Sequence, residues 1–397
     1  MGKGLLPMKK LGICICYQQR NYGSQLQCFA TTWELKRRGI DFEIIRYAKQ
    51  YTPRMILRLL PRLLNPVWIS ERVFLRYTKK LALALCPSFR EKNSRRNQRI
   101  AAYSQRKFTS LSPVFKGLDA LHEGSGRYAA VLVGSDQLWS PSGIETGFYN
   151  LTFVREGIPR LSYAASIGVS QVDKKLHATY QAFLSRMTHI SMREKRGQEL
   201  VMELSGREAA WVVDPVLLLD ADQWQQEIPD QELCRTPYVF AFFLGRSRKY
   251  RQQVTAFARS KGLKIVTLHH MDSINLSEIG FGDEVLYDVG PEEFVNLIRH
   301  AAYVFTDSYH GTLFSIIHRK PFLVFDRYAS GSAASKNSRI DSLCESCGIH
   351  TRRCQGDVHA VEQPLDYDAV HVRIAANRSR SLRYLDDALA ALAPSEE

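Results

Sequence analysis

The stretch from residue 302 to residue 326 constrains the fold of this chain more than any other segment. Its pattern predicts a short apolar strand at 303–305, a polar elbow at 306–312, an apolar helix at 313–318 and a second strand at 322–325. A strand, a crossover helix and another strand in this order are typical of a parallel sheet. We therefore expect an α/β fold whose polar elbow lies at the carboxyl end of a strand.

The elbow carries four polar or ionisable side chains, Asp307, Ser308, Tyr309 and His310. Open α/β sheets bind ligands in the crevice outside the carboxyl ends of their strands. The helix after Gly311 directs free backbone N–H groups to the same place, which suits a phosphate or a carboxylate. We predict an anion-binding site with the imidazole of His310 beside it as a proton donor or acceptor. The alternative is that His310 only caps the helix or fixes the loop.

A second strand, loop and helix occur near the N-terminus. The apolar run 11–17 predicts a central strand buried on both faces, and the polar loop 18–24 leads into a helix at about 25–38. Gly23 allows a close approach of the backbone to a ligand, and Ser24 is a good helix cap. This order opens a Rossmann-like domain, but the loop lacks Gly-X-Gly-X-X-Gly, so a dinucleotide is not indicated.

The length of 397 residues is too great for one ordinary core and predicts two domains. We place the first Rossmann-like domain at 1–220, the second at 221–365, and a final helical segment at 366–397. The chain contains no apolar run of about 20 residues, as a membrane span requires. Its N-terminus shows no secretory cleavage pattern, so we expect a cytoplasmic protein.

The net charge of +14 is concentrated in one part of the chain. Between Pro53 and Arg106 there are thirteen lysines and arginines against Glu71 and Glu91, so this stretch holds +11 of the total. We predict a basic helical insertion at about 53–106. Basic amphipathic helices suit an anionic membrane surface; the alternative is a pair of core helices with a solvated basic face. Because the charge is so uneven, we do not predict a nucleic-acid partner.

The eight cysteines show no disulfide framework, and a reducing compartment fits them. Cys344 and Cys347, with His350 and Cys354 nearby, offer one half of a zinc site but no second Cys-X-X-Cys pair. We therefore interpret them as ordinary thiols and predict no metal.

Four short motifs together resemble the polysaccharide pyruvyl transferase family. They are Thr-Asp-Ser-Tyr-His-Gly-Thr at 306–312, Asn-Tyr-Gly-Ser at 21–24, Val-Leu-Val-Gly-Ser-Asp-Gln-Leu-Trp at 131–139 and Ser-Met-Arg-Glu at 191–194. They occur in the family's order, and the resemblance spans about residues 11 to 350. It implies two Rossmann-like domains facing a cleft, similar to the GT-B glycosyltransferases, with the final helical segment at 366–397 crossing back to the first domain. It also implies transfer of the enolpyruvyl carbons of phosphoenolpyruvate onto two hydroxyls of a sugar as a cyclic ketal, with no metal or organic cofactor.

The candidate site residues fall into three groups. The catalytic candidates are His310, as the proton donor or acceptor, and Asp136, as a hydroxyl-orienting group or general base. The candidate phosphoenolpyruvate ligands are Arg193, Ser308, Tyr309, Gly311, Thr312, Lys336 and Arg339. The candidate acceptor ligands are Asn21, Tyr22, Gly23, Ser24, Gln137 and Trp139. An arginine fork binds a carboxylate or phosphate bidentately, and the resemblance assigns this role to Arg193; the alternative is an ion pair with Glu194 or Glu199.

Trp139 has two interpretations: its ring stacks on a sugar face, which we favour, or it fills the core. For each residue of the loop at 21–24, a capped tight turn is an equally good interpretation.

We therefore predict a pyruvyl transferase that forms a ketal on a cell-surface polysaccharide or on its polyprenyl-linked precursor. Such an enzyme would work at the inner face of the cytoplasmic membrane. The rival prediction is a GT-B glycosyltransferase that binds a nucleotide sugar at the same helix start. A third alternative is a basic, non-enzymatic envelope scaffold or nucleic-acid binder, in which His310 has no chemical role.

Overall fold

Two parallel five-stranded sheets form the framework of the protein. The computed structural model describes residues 10–50, 79–81, 83–269, 275–328 and 337–390. The two sheets have the same strand order, in which the third, second, first, fourth and fifth strands of each lie side by side. The predicted fold class, two Rossmann-like domains with a GT-B-like arrangement, is confirmed.

The first sheet belongs to the N-terminal half. Its strands are β1 (Lys10–Cys14), β2 (Phe42–Ala48), β3 (Leu111–Lys116), β4 (Tyr128–Val133) and β5 (Arg160–Ser162). A short parallel pair, β6 (Ser191–Met192) and β7 (Ala210–Trp211), continues beyond β5 through isolated bridges. The order reverses between β1 and β4, which both lie in the middle of the sheet. Such a reversal opens a crevice at the carboxyl ends of the two strands.

The second sheet repeats this plan. Its strands are β8 (Tyr238–Phe242), β9 (Lys264–Leu268), β10 (Glu284–Leu286), β11 (Tyr303–Thr306) and β12 (Phe322–Val324). Thr306 is in register with Phe242 on one side and with Val324 on the other. The residues that follow these three strands therefore meet at one edge of the sheet, as the sequence predicts for the elbow after β11.

The described residues include eleven complete α-helices. They are α1 (Tyr22–Arg37), α2 (Pro87–Lys107), α3 (Gly117–Ser125), α4 (Lys174–Leu184), α5 (Lys195–Ser205), α6 (Ala221–Glu227), α7 (Arg248–Ser260), α8 (Pro291–Arg299), α9 (Tyr309–Ile317), α10 (Ser338–Cys347) and α11 (Tyr367–Ala390). Among the helices described, none is both long and apolar enough to cross a bilayer.

Two helices begin earlier than the apolar pattern predicts. Helix α9 begins at Tyr309 rather than at 313, because Ser308 is its N-cap and accepts a hydrogen bond from the N–H of Gly311. Helix α1 begins at Tyr22 rather than at 25, because the side chain of Asn21 accepts from the N–H of Ser24. Both glycine-containing loops are therefore first turns of helices. All nine residues of α9 are buried, which explains its apolar composition.

Aromatic side chains join the two domains. Tyr22 of α1 stacks on Phe294 of α8, with ring centroids 5.0 Å apart and planes 9° apart. Trp224 of α6 contacts Phe29 of α1 on one side and Phe314 of α9 on the other. These rings bury a continuous apolar seam beside the cleft, which fixes how α1 and α9 face each other.

Helix α11 crosses from the second domain to the first. Near its start, Nε2 of His371 lies 3.0 Å from the carbonyl oxygen of Ile316 in α9. Near its end, the hydroxyl of Tyr384 donates to the carbonyl of Ser162 over 2.8 Å, and Oγ of Ser381 accepts from the N–H of Val213 over 3.0 Å. One helix therefore holds both domains.

The basic insertion is described only in part, since residues 53–78 lie outside the described residues. Its C-terminal portion is α2, which is not only a solvated surface helix. Asn93, Arg96, Ile100 and Tyr103 are buried, while Arg99 and Arg106 form ion pairs with Asp288 and Glu292 of the second domain. The charge in this helix thus serves contact between the domains as well as the surface.

Candidate active site

Five side chains meet in the cleft, each placed by the start of a helix or the end of a strand. Ser24 lies in the first turn of α1, and His310 lies in the first turn of α9. Asp136, Arg193 and Asp214 follow strands β4, β6 and β7 of the first domain. The parallel sheets bring these chain ends to the same crevice, although they are far apart in the sequence.

An acidic side chain of the first domain links an imidazole to a guanidinium. Oδ2 of Asp214 accepts a hydrogen bond from Nη1 of Arg193 over 2.7 Å, and it lies 3.6 Å from Nε2 of His310. Nε of Arg193 donates to Glu194 over 3.1 Å. The side chains of Arg193 and Asp214 are completely buried, and that of His310 is only 10% exposed. His310 and Arg193 are therefore held together from opposite domains.

Glycine at position 23 makes this approach feasible. A Cβ atom on Gly23 would lie 2.1 Å from Nδ1 of His310, well inside van der Waals contact. The imidazole thus rests directly against the backbone of α1. The close approach predicted for Gly23 is to the imidazole of His310.

Asp136 is held in a strained and strongly positive setting. Its backbone has a φ of 83°, which is unfavourable for a residue other than glycine. Its Oδ2 accepts a hydrogen bond from Oγ of Ser24 over 2.7 Å, and Oδ1 accepts from the N–H of Gln137 over 2.8 Å. Burial alone would raise the pKa of Asp136, but the charges of Arg193 and His310 outweigh it and the pKa is lowered. The carboxylate is therefore ionised at neutral pH.

The pKa of Asp214 is lowered even further. Burial opposes ionisation, whereas the positive charge of His310 and then that of Arg193 favour it, and the second effect dominates. Burial also disfavours the charged form of Arg193, but Glu194 and Asp214 raise its pKa well above the usual value. Both groups remain charged at neutral pH.

Three arginines form a cationic cluster, and two of them lie beside Tyr309. The guanidinium of Arg193 lies 4.6 Å from the centre of the Tyr309 ring, and that of Arg339 lies 5.8 Å from it. Burial, together with the charges of Arg193 and Arg327, lowers the pKa of Arg339 to about 10. Nη2 of Arg193 and Nε of Arg327 are buried without a hydrogen-bond partner among the described residues. An anion bound here would relieve the repulsion and accept these hydrogen bonds.

The remaining predicted donor ligands build the start of α9. The hydroxyl of Thr312 donates to the carbonyl of Ser308 over 3.0 Å, so it is used within the helix. Gly311 packs closely on β11, since a Cβ there would lie 2.9 Å from Oγ1 of Thr306. Direct contacts of Ser308, Gly311 and Thr312 with a donor stay predictions. Lys336 lies outside the described residues.

The predicted acceptor residues differ in their exposure and in their contacts. Asn21 is exposed and caps α1, and Gln137 is half-buried with its side chain against Gly168. Tyr22 is buried in the seam between the domains. Direct contacts of Asn21, Ser24 and Gln137 with an acceptor stay predictions.

The predicted stacking of Trp139 on a sugar does not fit the structure. This side chain is fully buried, its indole N–H donates to the carbonyl of Tyr149 over 2.9 Å, and its ring contacts Phe183 edge-on. The core interpretation is the correct one for Trp139. The motif at 131–139 places Trp139 after the end of a strand. Whether its ring is exposed depends on the packing of α4, which the motif does not specify.

Sequence reasoning missed two charged residues of the site and the role of a third. Asp214 follows the apolar residues 211–213 and precedes a proline, which is only a weak signal of a carboxylate at a strand end. Arg327 follows β12 in the same way. The role of Asp307 was also missed: its carboxylate accepts from the N–H groups of Leu244 and Gly245 over 2.8 and 2.7 Å and fixes the loop after β8.

Two cavities adjoin this site. The larger, about 910 Å³, lies at the carboxyl ends of β1 and β2, under α2. The smaller, about 320 Å³, lies behind Arg193 between β7, α10 and α11. Within the described part of the chain, no group of three or more histidine, cysteine or acidic side chains is placed to hold a metal ion. Cys344 and Cys347 are buried, and burial raises the pKa of these thiols to about 12 and about 11.

Two facing parallel-sheet domains joined by a crossing C-terminal helix define a GT-B-like protein. MnaA from S. aureus, solved with UDP, matches with a TM-score of 0.50 and 12% identity over 97% of this chain and 98% of that chain. UDP-GlcNAc 2-epimerase from Neisseria meningitidis, bound to UDP-GlcNAc, matches at 0.46 and 11% over 96% and 100%. UGT89C1 from Arabidopsis thaliana matches at 0.49 and 11% over 97% and 99%. At these identities the likeness concerns the fold alone.

The sequence defines the family. The family model described as polysaccharide pyruvyl transferase matches residues 21–328, so the chain belongs to the polysaccharide pyruvyl transferase family, an enzyme family. No curated protein matches the chain. The matched residues include Ser24, Asp136, Arg193, Asp214 and His310, so the cleft constellation lies within the family region.

Proposed function

We propose that the protein transfers the enolpyruvyl carbons of phosphoenolpyruvate to two hydroxyls of a sugar and closes a cyclic ketal. One observation carries this proposal: a buried imidazole, His310, faces two ionised carboxylates, Asp136 and Asp214, beside a cluster of arginines. A small donor with two anionic groups and a double bond that accepts a proton matches this arrangement.

The arginines account for the binding of the donor. Phosphoenolpyruvate carries a phosphate and a carboxylate, which need separate cationic partners. Arg193 and Arg339 both lie beside the Tyr309 ring, and Arg327 is close enough to Arg339 to lower its pKa. In the proposed complex these three residues hold the two anions, and the first turn of α9 adds its backbone N–H groups.

The chemistry requires proton transfers at two places. Asp136 accepts the proton of the first sugar hydroxyl while the oxygen of that hydroxyl attacks C2 of the donor. His310 gives a proton to C3, which becomes the methyl group. The product of this step is a tetrahedral carbon that carries carboxylate, methyl, phosphate and sugar oxygen. The second hydroxyl then replaces the phosphate, which leaves with that hydroxyl's proton, and the ketal closes.

Asp214 is a positioning residue in this scheme. Its carboxylate lies 3.6 Å from Nε2 of His310 and orients the imidazole for the proton transfer to C3. Its bond to Arg193 fixes the distance between the proton donor and the anion clamp. Positioning and charge stabilisation in a buried site supply much of the acceleration of such reactions.

The acceptor in this proposal is a sugar of a cell-surface polysaccharide, such as a capsule or an exopolysaccharide, or of its polyprenyl-linked precursor. The protein would act at the inner face of the cytoplasmic membrane and contact anionic lipid through the basic insertion at 53–106. The sequence supports this by its thirteen basic residues in that stretch. Charge reversal at Arg58, Arg62, Lys79 and Lys80 should weaken binding to anionic vesicles, and unchanged binding would contradict the membrane contact.

The decisive experiment compares donors. Phosphoenolpyruvate should raise the melting temperature of the protein and, with a glycan acceptor, release phosphate in step with a mass gain of one pyruvate less one water. A nucleotide sugar should do neither. A melting shift with a nucleotide sugar alone would favour the rival glycosyltransferase activity and would overturn the proposed donor.

A variant tests the assigned chemistry. Replacement His310→Ala should abolish ketal formation and leave the melting temperature shift with phosphoenolpyruvate largely intact, since the arginines remain. Ketal formation by this variant at the rate of the unmodified protein would remove His310 from the mechanism.

A further inference from the structure

The larger cavity has a charge pattern that the transfer of pyruvate alone does not explain. It measures about 910 Å³, near the upper end of the usual range of about 300–1,000 Å³ for ligand sites. Three cationic residues, Arg20, Arg46 and Lys49, line it, and the described lining contains no aspartate or glutamate. A pocket with charge of one sign attracts ligands of the opposite sign.

The cavity opens next to the reacting groups. Cys16 lines it, and the Cys16 thiol lies 3.7 Å from Oδ2 of Asp136. Gln19 also lines it, and its Oε1 lies 3.3 Å from Oγ of Ser24, the hydroxyl that donates to Asp136. The cavity is therefore separated by single side chains from the carboxylate that accepts the sugar proton in the proposed reaction.

The walls of the cavity suit a carbohydrate. Tyr47 and Phe148 stack with ring centroids 5.2 Å apart, and they line the cavity with Tyr149. Aromatic rings of this kind offer apolar faces, while tyrosine adds a hydroxyl. Gln25 lines the same cavity; it is fully buried, and its Oε1 has no hydrogen-bond partner among the described residues. A sugar hydroxyl that donated a hydrogen bond to this oxygen would satisfy it.

The cationic side chains are held where they can meet a ligand. Nη2 of Arg96 donates to the carbonyl of Arg20 over 2.7 Å, which fixes the loop, while the Arg20 side chain remains exposed. Nε of Arg46 donates to the carbonyl of Ser112, which orients the guanidinium. Neither Arg20 nor Arg46 forms an ion pair with a carboxylate of the described residues. Their charges are thus available to an anion.

We infer that the acceptor is an anionic glycan, whose carboxylate or phosphate is bound by Arg20, Arg46 and Lys49 while its hydroxyls reach Asp136. This inference rests on the proposed function, because it takes the cavity as the acceptor side of that reaction. It names a substrate class: glycans that carry a uronate or a glycosyl phosphate within a sugar or two of the modified residue.

The test measures binding and transfer separately. The binding probes are trigalacturonate, galactose 1-phosphate and the neutral galactotriose, each titrated into the full-length protein by calorimetry. At low salt an anionic probe should bind at least tenfold more tightly than galactotriose, and added salt should weaken this preference. Tighter binding of trigalacturonate would show that the anionic group of the acceptor is a sugar carboxylate. Tighter binding of galactose 1-phosphate would show that it is a phosphate. Either result supports the inference. Equal affinity for all three overturns it.

Charge reversal locates the effect. Arg20→Glu combined with Lys49→Glu should reduce the affinity for the preferred anionic probe at least tenfold and leave the binding of galactotriose unchanged. The matched control is Arg259→Glu: Arg259 is exposed near the C-terminal end of α7, which lies at the opposite edge of its sheet from the cleft. An equal loss in the control, or no loss in the double variant, would overturn the assignment.

The two proposals fail in different ways. If phosphoenolpyruvate neither binds nor reacts but the anionic probe still binds through Arg20 and Lys49, the proposed reaction is wrong and the anionic site stands. If phosphoenolpyruvate reacts equally well with neutral and acidic acceptors, the reaction stands and the anionic acceptor is wrong.

Discussion

His310 and Gly23 form a matched pair across the cleft, because the imidazole occupies the space that any larger side chain at position 23 would fill. The ring is held between the backbone of α1 and the carboxylate of Asp214. Its orientation therefore depends on the absence of one carbon atom in the other domain. A larger side chain at position 23 would therefore displace the imidazole and leave His310 itself unchanged.

The variant Gly23→Ala tests that dependence. Because the new Cβ would lie 2.1 Å from Nδ1, the imidazole must rotate or the domains must separate. We expect kcat to fall at least a hundredfold and the free energy of unfolding to fall by about 1–3 kcal/mol, as for other overpacked sites. Steady-state kinetics and urea unfolding measure the two effects.

The matched control for this variant is Gly143→Ala. Position 143 has a negative φ of −124°, and the nearest atom to a Cβ there lies 4.0 Å away. Its kcat should equal that of the unmodified protein. A Gly23→Ala protein with full activity would show that the ring need not stay in this place.

Arg193 is a second residue that chemistry makes hard to replace. Its guanidinium binds Glu194 through Nε and Asp214 through Nη1, and its Nη2 is left for an anion. Lysine has one ammonium group and cannot hold all three positions. We expect Arg193→Lys to lower kcat/KM for phosphoenolpyruvate at least a hundredfold, in a donor-titration assay. Arg196→Lys, at a half-exposed position with partners Glu199 and Glu203, should change it less than threefold.

The sequence predicts residues of this site to the extent that topology alone brings them together. Asp136, Arg193 and His310 each follow a strand or begin a helix in a parallel sheet, and such positions converge whatever the packing. Trp139 occupies a similar place, but its exposure depends on the helix packed over it, which no local pattern specifies. Asp214 was missed because a single carboxylate after an apolar run carries little signal without a partner.

At the scale of elements, α2 is the part of the structure that sequence patterns describe least well. Its arginines suggest a solvated or membrane-facing helix, yet Arg99 lies 2.9 Å from Asp288 and Arg106 pairs with Glu292 in the second domain. The ammonium of Lys92 also lies 4.1 Å from the ring centre of Tyr287. Periodicity locates the helix but does not identify partners nearly two hundred residues away in the chain.

These contacts predict a salt-sensitive link between the domains. The paired side chains are about half exposed on α2, so each pair contributes less than about 1 kcal/mol. Arg99→Glu with Arg106→Glu should lower the melting temperature by a few degrees at low ionic strength, and the difference should shrink in about 1 M salt, where charges are screened within about 3 Å. Differential scanning calorimetry at two salt concentrations measures this.

A control variant lies on the same helix. Arg95 pairs with Glu91 within α2 and does not reach the second domain, so Arg95→Glu should cause a smaller shift. Restoring opposite charges with Asp288→Arg and Glu292→Arg in the double variant should recover most of the melting temperature. A shift that is equally large at high salt would mean that packing of α2, not charge, joins the domains.

At the scale of the whole molecule, Asp214 connects the stability of the two-domain structure to pH. It is buried between Arg193 of its own domain and His310 of the other, and their charges lower its pKa. The pKa of an unfolded aspartate is about 3.9, so the folded protein binds this proton more weakly than the unfolded chain does. The stabilisation is therefore complete above about pH 4 and is lost as the pH falls through the lower pKa of the folded state. Asp136, whose pKa is also lowered, acts in the same direction.

The variant Asp214→Asn should reveal this coupling in urea unfolding between pH 2 and pH 7. At pH 7 it leaves the buried charge of Arg193 without the carboxylate of Asp214, and we expect a loss of about 3–5 kcal/mol, as for other broken buried ion pairs. Below pH 4 the difference from the unmodified protein should narrow by up to about 1.4 kcal/mol per pH unit, the effect of one proton. Asp387→Asn, at an exposed position of α11, should run parallel to the unmodified protein throughout. If the gap for Asp214→Asn stayed constant as the pH fell, the carboxylate would not be ionised between the domains, and the charge arrangement on which the proposed proton transfer depends would be wrong.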